Sequence, residues 1–152
     1  MSEKLFDEQQ FVIFKLGRES FGLDINKVKE IIVSQETTHI PGTNDRIEGV
    51  INLRGKVIPI FGLSKEYGFP EPEKTRNTRI VVVEAHSKTV GLVVDGVSEV
   101  LTIQGKSVEK PSSMITAGID TSFLTGIAKM DNKLVILLDL EKIITPEVAK
   151  AV

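Results

Sequence analysis

The chain has 152 residues, 41% of them hydrophobic and 26% charged, which suits one soluble domain or two very small modules packed on each other. It contains no cysteine, which excludes disulfide frameworks and thiolate sites and fits a reducing cytoplasm. A formal net charge of -2, one Tyr and no Trp leave little attraction for phosphate backbones and few stacking platforms, so nucleic acid is not an expected partner.

In chain order, period-two or continuous apolar patterning predicts strands at 10–16, 20–25, 28–34, 47–53 and 56–61. The segment KVKEIIV also has helical spacing, but its β-branched content favours a strand. Arg54-Gly55 sits where the last two of these strands must reverse, and Pro59, which cannot donate to a ladder, predicts an edge or bulged strand. A short helix is expected around 62–67. Lys74, Arg76 and Arg79, beside Glu71, Glu73, Pro70 and Pro72, read as a solvated linker. Strands follow at 79–85, 89–95, 97–103, 125–130 and 133–138, with Asp131-Asn132 at the last reversal and a helix around 139–144 that Pro146 limits. The first residues do not read as a charged, apolar, small-residue leader, so secretion is not expected, and the apolar runs fall short of the roughly 18 residues of a membrane span.

The two sets of strands are one pattern used twice. Adding 77 lays GVINLRGKVIPIFGL (49–63) on GIAKMDNKLVILLDL (126–140) without a gap, pairing Gly49 with Gly126. Adding 69 lays 11–33 on 80–102, pairing Gly22 with Gly91, Val28 with Val97 and Glu30 with Glu99. The registers differ by 77 − 69 = 8, so the second copy has a longer middle loop, Gln104 to Phe123. Matching glycines in the same hairpin order indicate duplication, and short antiparallel strands favour small closed barrels. Approximate subdomains are 11–67 and 79–138 within a single domain of 1–152, with a C-terminal helix and tail at 139–152.

Catalytic raw material is thin. His39 and His86 read as exposed turn residues, not as a metal pair, and Asp24 with Glu30 or Asp95 with Glu99 read as surface charge. No GxGxxG or GxxxxGK[ST] phosphate loop is present. An enzyme is not expected, nor is a cofactor. The rival reading is a small barrel that binds a ligand or nucleic acid.

At GVINLRGKVIPIFGL, with SFGLDINKVKEI upstream and VGLVVDGVSEVL and FLTGIAKMDNKLVILLDLEKI downstream, the chain resembles the bacterial chemotaxis coupling proteins of the CheW family over nearly its whole length. The resemblance implies an all-β fold of two intertwined five-stranded Src-homology-like barrels, with short helices after each final hairpin. It also implies a cytoplasmic adaptor, without cofactor, that joins the tips of transmembrane methyl-accepting chemoreceptors to the regulatory domain of the histidine kinase CheA and reaches the membrane array only through those partners. The same module occurs inside the kinase and fused to a receiver domain; the short flanks here lead us to expect neither.

By the same resemblance, Glu30 and Arg54 are expected to pair across the first barrel. Receptor contacts fall on Val28, Glu30, Gly49, Arg79 and Gly91, and kinase contacts on Ile25, Val28, Glu30 and Arg54. Arg79 departs from the apolar residue common there. Gly49 and Gly91 equally admit a packing role, and Ile25 a core one. Gly55 and Asn132 are the turn residues that tolerate positive φ. The Met114 to Leu124 loop is expected to touch a neighbouring kinase.

Overall fold

The computed structural model describes residues 6–42, 47–63, 71–110 and 122–145. The first copy supplies β1 (Glu8–Leu16), β2 (Glu19–Asp24), a 3-10 turn (Ile25–Lys27), β3 (Val28–Val33), β4 (Ile47–Leu53) and β5 (Lys56–Phe61). The second supplies β6 (Arg79–Ala85), β7 (Lys88–Val94), β8 (Gly96–Gln104), β9 (Val108–Glu109), β10 (Leu124–Met130), β11 (Lys133–Leu138) and helix α1 (Leu140–Ile143). Ten strands stand where the patterning placed them; the two-residue β9 is an addition. Ile25 belongs to the 3-10 turn and not to β2, because the Asp24 side chain accepts from Asn26 N at 2.9 Å and folds the chain there. Most of the helix expected at 62–67 and of the loop at 114–124 lies outside the described residues.

The strands form one sheet in the order β8-β1-β2-β11-β10-β9 and a second in the order β3-β6-β7-β5-β4. Each copy therefore lends its first hairpin to the other copy's sheet, which intertwines the halves. Short parallel pairings make the joints, with Gly22 opposite Leu137 and Gly91 opposite Ile60. Pro59 falls one residue before the second joint, in an inner strand, so the expected edge position is corrected: pairing with β7 begins only at Ile60.

The expectation of closed barrels is also corrected, since neither sheet closes. The outer edge of β4 is taken by the connector after β3, where Thr38 and Val50 exchange backbone hydrogen bonds of 2.8 and 2.9 Å. In the other sheet β9 takes the outer edge of β10, with Glu109 opposite Ile127, the residue 77 beyond Val50. Backbone groups already satisfied by a connector are not available to the strand that would complete a barrel.

The duplication extends to individual ladder positions. Glu30, Val82, Gly91, Ile60 and Gly49 form one row across the second sheet. Glu99, Ile13, Gly22, Leu137 and Gly126 form the matching row across the first. Both rows are flanked by the same two bulges, at Lys29 and Glu48 in one and at Ser98 and Thr125 in the other.

Three cores explain the continuous apolar runs. In β6, Ile80 and Val82 enter a cluster within the five-stranded sheet, while Val81, Val83 and Ala85 enter one shared by both sheets and α1. In β1, Phe11 and Ile13 enter a cluster within the six-stranded sheet and Phe14 and Leu16 the shared one. Strands covered on both faces need apolar residues at consecutive positions, not alternate ones.

Candidate functional site

Arg54 stands at the tip of the β4–β5 hairpin with φ 51°, followed by Gly55 at φ 86°. Two positive angles match a two-residue type I′ turn, which suits the twist of the strands but normally favours Asn or Gly at the first position. The Asn52 side chain accepts from Gly55 N at 2.9 Å and holds the turn. From this strained position the Arg54 Nη2 group donates to Glu30 Oε2 on β3. Strands β3 and β4 are opposite ends of the sheet, so the pair spans its open seam. In the second copy the positive angle falls on Asp131 (φ 48°) and not on Asn132.

The seam forms a cleft of about 180 Å³ that Lys29, Leu53, Lys56 and Thr89 line together with the ion pair. Lys29 is the extra residue of the β3 bulge; its ammonium lies 3.3 Å from Thr89 Oγ1 and 3.6 Å from Glu84. On the strands that border the cleft, next in sequence to its Glu30 and Ile58, Ile31 and Val57 are 40% and 63% exposed. Their repeat counterparts, Val100 and Leu134, are also exposed, next to a cleft formed by Glu99, Leu101, Met130, Asp131 and Lys133. There the cross-seam pair is Lys133 to Glu99 at 3.4 Å. Two copies that have diverged elsewhere thus keep apolar residues exposed at the same two positions. Apolar patterning does not distinguish them from core residues, although they occupy matched positions of the repeat.

The remaining predicted residues divide by role. Glu30, Gly49 and Gly91 share one row, but a Cβ at Gly49 would lie 2.7 Å from Thr38 O, and one at Gly91 would lie 2.8 Å from Ile60 Cδ1 and 2.9 Å from Ile80 Cγ2. Both glycines therefore sit where the backbone is closely packed. Val28 packs against the shared core. Ile25 is half-buried in the 3-10 turn. Arg79 lies at the start of β6, opposite Val33.

Glu141 on α1 carries no motif or spacing that marks it in the sequence. Its carboxylate takes Lys27 Nζ at 2.9 Å and His86 N at 3.1 Å, while His86 Nδ1 lies 3.2 Å away and His86 Nε2 lies 2.9 Å from Glu141 O. His86 is therefore a half-buried anchor, a correction to its reading as an exposed turn residue. The Lys27 hydrogen bond, aided by the His86 amide, holds the Glu141 carboxyl below the usual range; the same bond raises the Lys27 ammonium. Among the described residues no group of three or more His, Asp or Glu is arranged to hold a metal, and no helix is long and apolar enough to cross a membrane.

The family model for the CheW-like domain matches residues 10–147. The chain belongs to the CheW-like family. Chemotaxis protein CheW of Klebsiella aerogenes is 37% identical over 139 residues, covering 91% of this chain and 83% of that protein. Its Bacillus subtilis namesake is 29% identical over 147 residues, covering 97% and 94%. The crystal structure of the scaffolding protein TtCheW from Thermoanaerobacter tengcongensis matches with a TM-score of 0.80 and 38% identity over 97% of this chain and 92% of that one. Membership in the CheW-like family also fits the three-core, hairpin-exchanged architecture, since the structural match spans both sheets.

Proposed function

We propose that this chain is a non-catalytic chemotaxis scaffold that couples transmembrane chemoreceptors to the histidine kinase CheA. The observation that carries the reading is the Arg54–Glu30 pair across an open sheet seam, with Ile31 and Val57 exposed on the strands that border it. A fixed charge pair flanked by apolar residues suits docking of another folded domain, whose contact gains from desolvating both. The kinase regulatory domain would dock here, on the surface of Ile25, Val28, Glu30 and Arg54. The receptor tip, a helical hairpin, would lie along the neighbouring groove of Val28, Glu30 and Arg79, with Gly49 and Gly91 shaping the sheet beneath it. The protein would work in the cytoplasm without a cofactor and join the receptor array through its partners.

Copurification of the chain with a receptor tip fragment and the kinase regulatory domain tests this directly. A complex of all three is expected, and Arg54→Glu should weaken kinase binding about tenfold or more while the chain stays folded. Unaltered affinity of that variant for both partners, or no ternary complex with the native chain, would defeat the proposal.

A further inference from the structure

We infer that Arg79 is a specificity-determining residue that reads a carboxylate on the receptor segment beside it, an inference that rests on the receptor-coupling reading above. The Arg79 guanidinium is anchored through one nitrogen only, Nη1, which donates to Arg76 O at 2.8 Å and to Thr78 O at 2.9 Å. Its support is itself rigid: Thr78 is buried, and its hydroxyl donates to Glu73 O at 2.7 Å and accepts from Thr75 N at 2.8 Å. The other guanidinium N–H groups have no acceptor among the described residues, and Arg79 has no ion-pair partner there.

Arg79 opens onto a cleft of about 380 Å³, shared with Lys15, Asn77, Asp95 and Ser98. The one carboxylate among its described lining residues is already engaged, since Asp95 Oδ2 accepts from Gly17 N at 2.6 Å and Oδ1 from Glu73 N at 3.0 Å. The cleft therefore presents two cations and one committed anion. Next to Arg79 in the ladder, Val33 is 69% exposed, the highest value among the exposed large hydrophobic residues. An oriented guanidinium beside an exposed apolar side chain matches a segment carrying Asp or Glu next to an apolar residue, because the planar fork pairs with a carboxylate through two parallel hydrogen bonds. The feature is not inherited from the duplicated frame. At the equivalent place in the six-stranded sheet, Gln10 stands opposite Thr102, a neutral pair.

The test is binding of the full chain to a receptor tip fragment, with the kinase regulatory domain as the second ligand. Arg79→Ala should weaken tip binding roughly tenfold, flatten its salt dependence and leave kinase binding unchanged. Arg79→Lys, which keeps the charge without the fork, should recover only part of the loss. Among Glu→Gln and Asp→Asn variants of the tip, one should lose affinity for the native chain and lose nothing further for Arg79→Ala. Equal tip binding by native chain and Arg79→Ala, or no coupled tip carboxylate, would overturn the inference while leaving the coupling reading intact. Binding of inorganic phosphate that depends on Arg79, with tip binding insensitive to it, would also overturn the inference. Failure of the native chain to bind the tip would overturn both.

Discussion

Gly91→Ala separates a packing role from a contact role at the centre of the ladder row. The added methyl would meet Ile60 Cδ1 at 2.8 Å and Ile80 Cγ2 at 2.9 Å, both inside the range in which something must shift. Ile60 and Ile80 are fully buried, so the strain has little room to relax. Overpacking of this kind costs about 1–3 kcal/mol. Loss of unfolded-chain freedom on replacing Gly by Ala offsets about 0.4–1 kcal/mol. The difference of these ranges centres on a net loss of about 1.3 kcal/mol, a fall in Tm of roughly 3–5 °C for a chain of this size. The repeat supplies a control. At Gly22 the methyl would lie 3.0 Å from Leu137 Cδ2 and 3.3 Å from Ile13 Cδ1, longer contacts than at Gly91, so Gly22→Ala should cost less. Ile60→Val removes the clashing Cδ1 and costs about 0.5–1.5 kcal/mol alone, but in Gly91→Ala, where Ile80 Cγ2 still crowds the methyl, it should cost less, a coupling of at least about 0.5 kcal/mol. Urea denaturation of the four variants, compared by midpoint at constant m, measures these values. Gly91→Ala as stable as the native chain, or Gly22→Ala the more damaging of the two glycine substitutions, would refute the packing argument.

Two further outcomes are expected. Glu141, with its carboxyl lowered by Lys27 and the His86 amide, contributes stability that is present above the ordinary carboxylate pKa of 4.5 and is lost as pH falls through the lowered value. Both partners are partly exposed, so Glu141→Gln should cost no more than about 1 kcal/mol at pH 7 and should lose stability less steeply below about pH 4.5, as urea midpoints at pH 7, 4 and 3 would show. A profile parallel to that of the native chain would remove the clamp from the account. Val57→Ser should leave the Tm within about 2 °C, because the side chain is 63% exposed, but should weaken kinase binding measurably by calorimetry; intact affinity would take Val57 out of the docking surface.

Much of the architecture is legible residue by residue. Burial alternates or runs on with a period set by the strand itself, so strand positions, the hairpin reversals and the 69- and 77-residue correspondences follow from local pattern. The pairing of Glu30 with Arg54 was legible only through family resemblance, since the two are 24 residues apart. The Glu141 clamp joins residues 55 and 114 positions apart, and no local pattern announces such a contact. Exposed Val100 and Leu134 look like core residues until their surroundings are seen.

The amino-acid sequence by itself thus determined the strands, the duplication and the glycines that sit at equivalent ladder positions, because side-chain period and backbone tolerance are properties of short segments. Only the tertiary structure decided which strands pair, that the first hairpins are exchanged between sheets, and that the sheets stay open. Those outcomes depend on two short parallel joints and on connectors that take the outer edges of β4 and β10, and hydrogen bonds between distant segments leave no periodic trace in the chain.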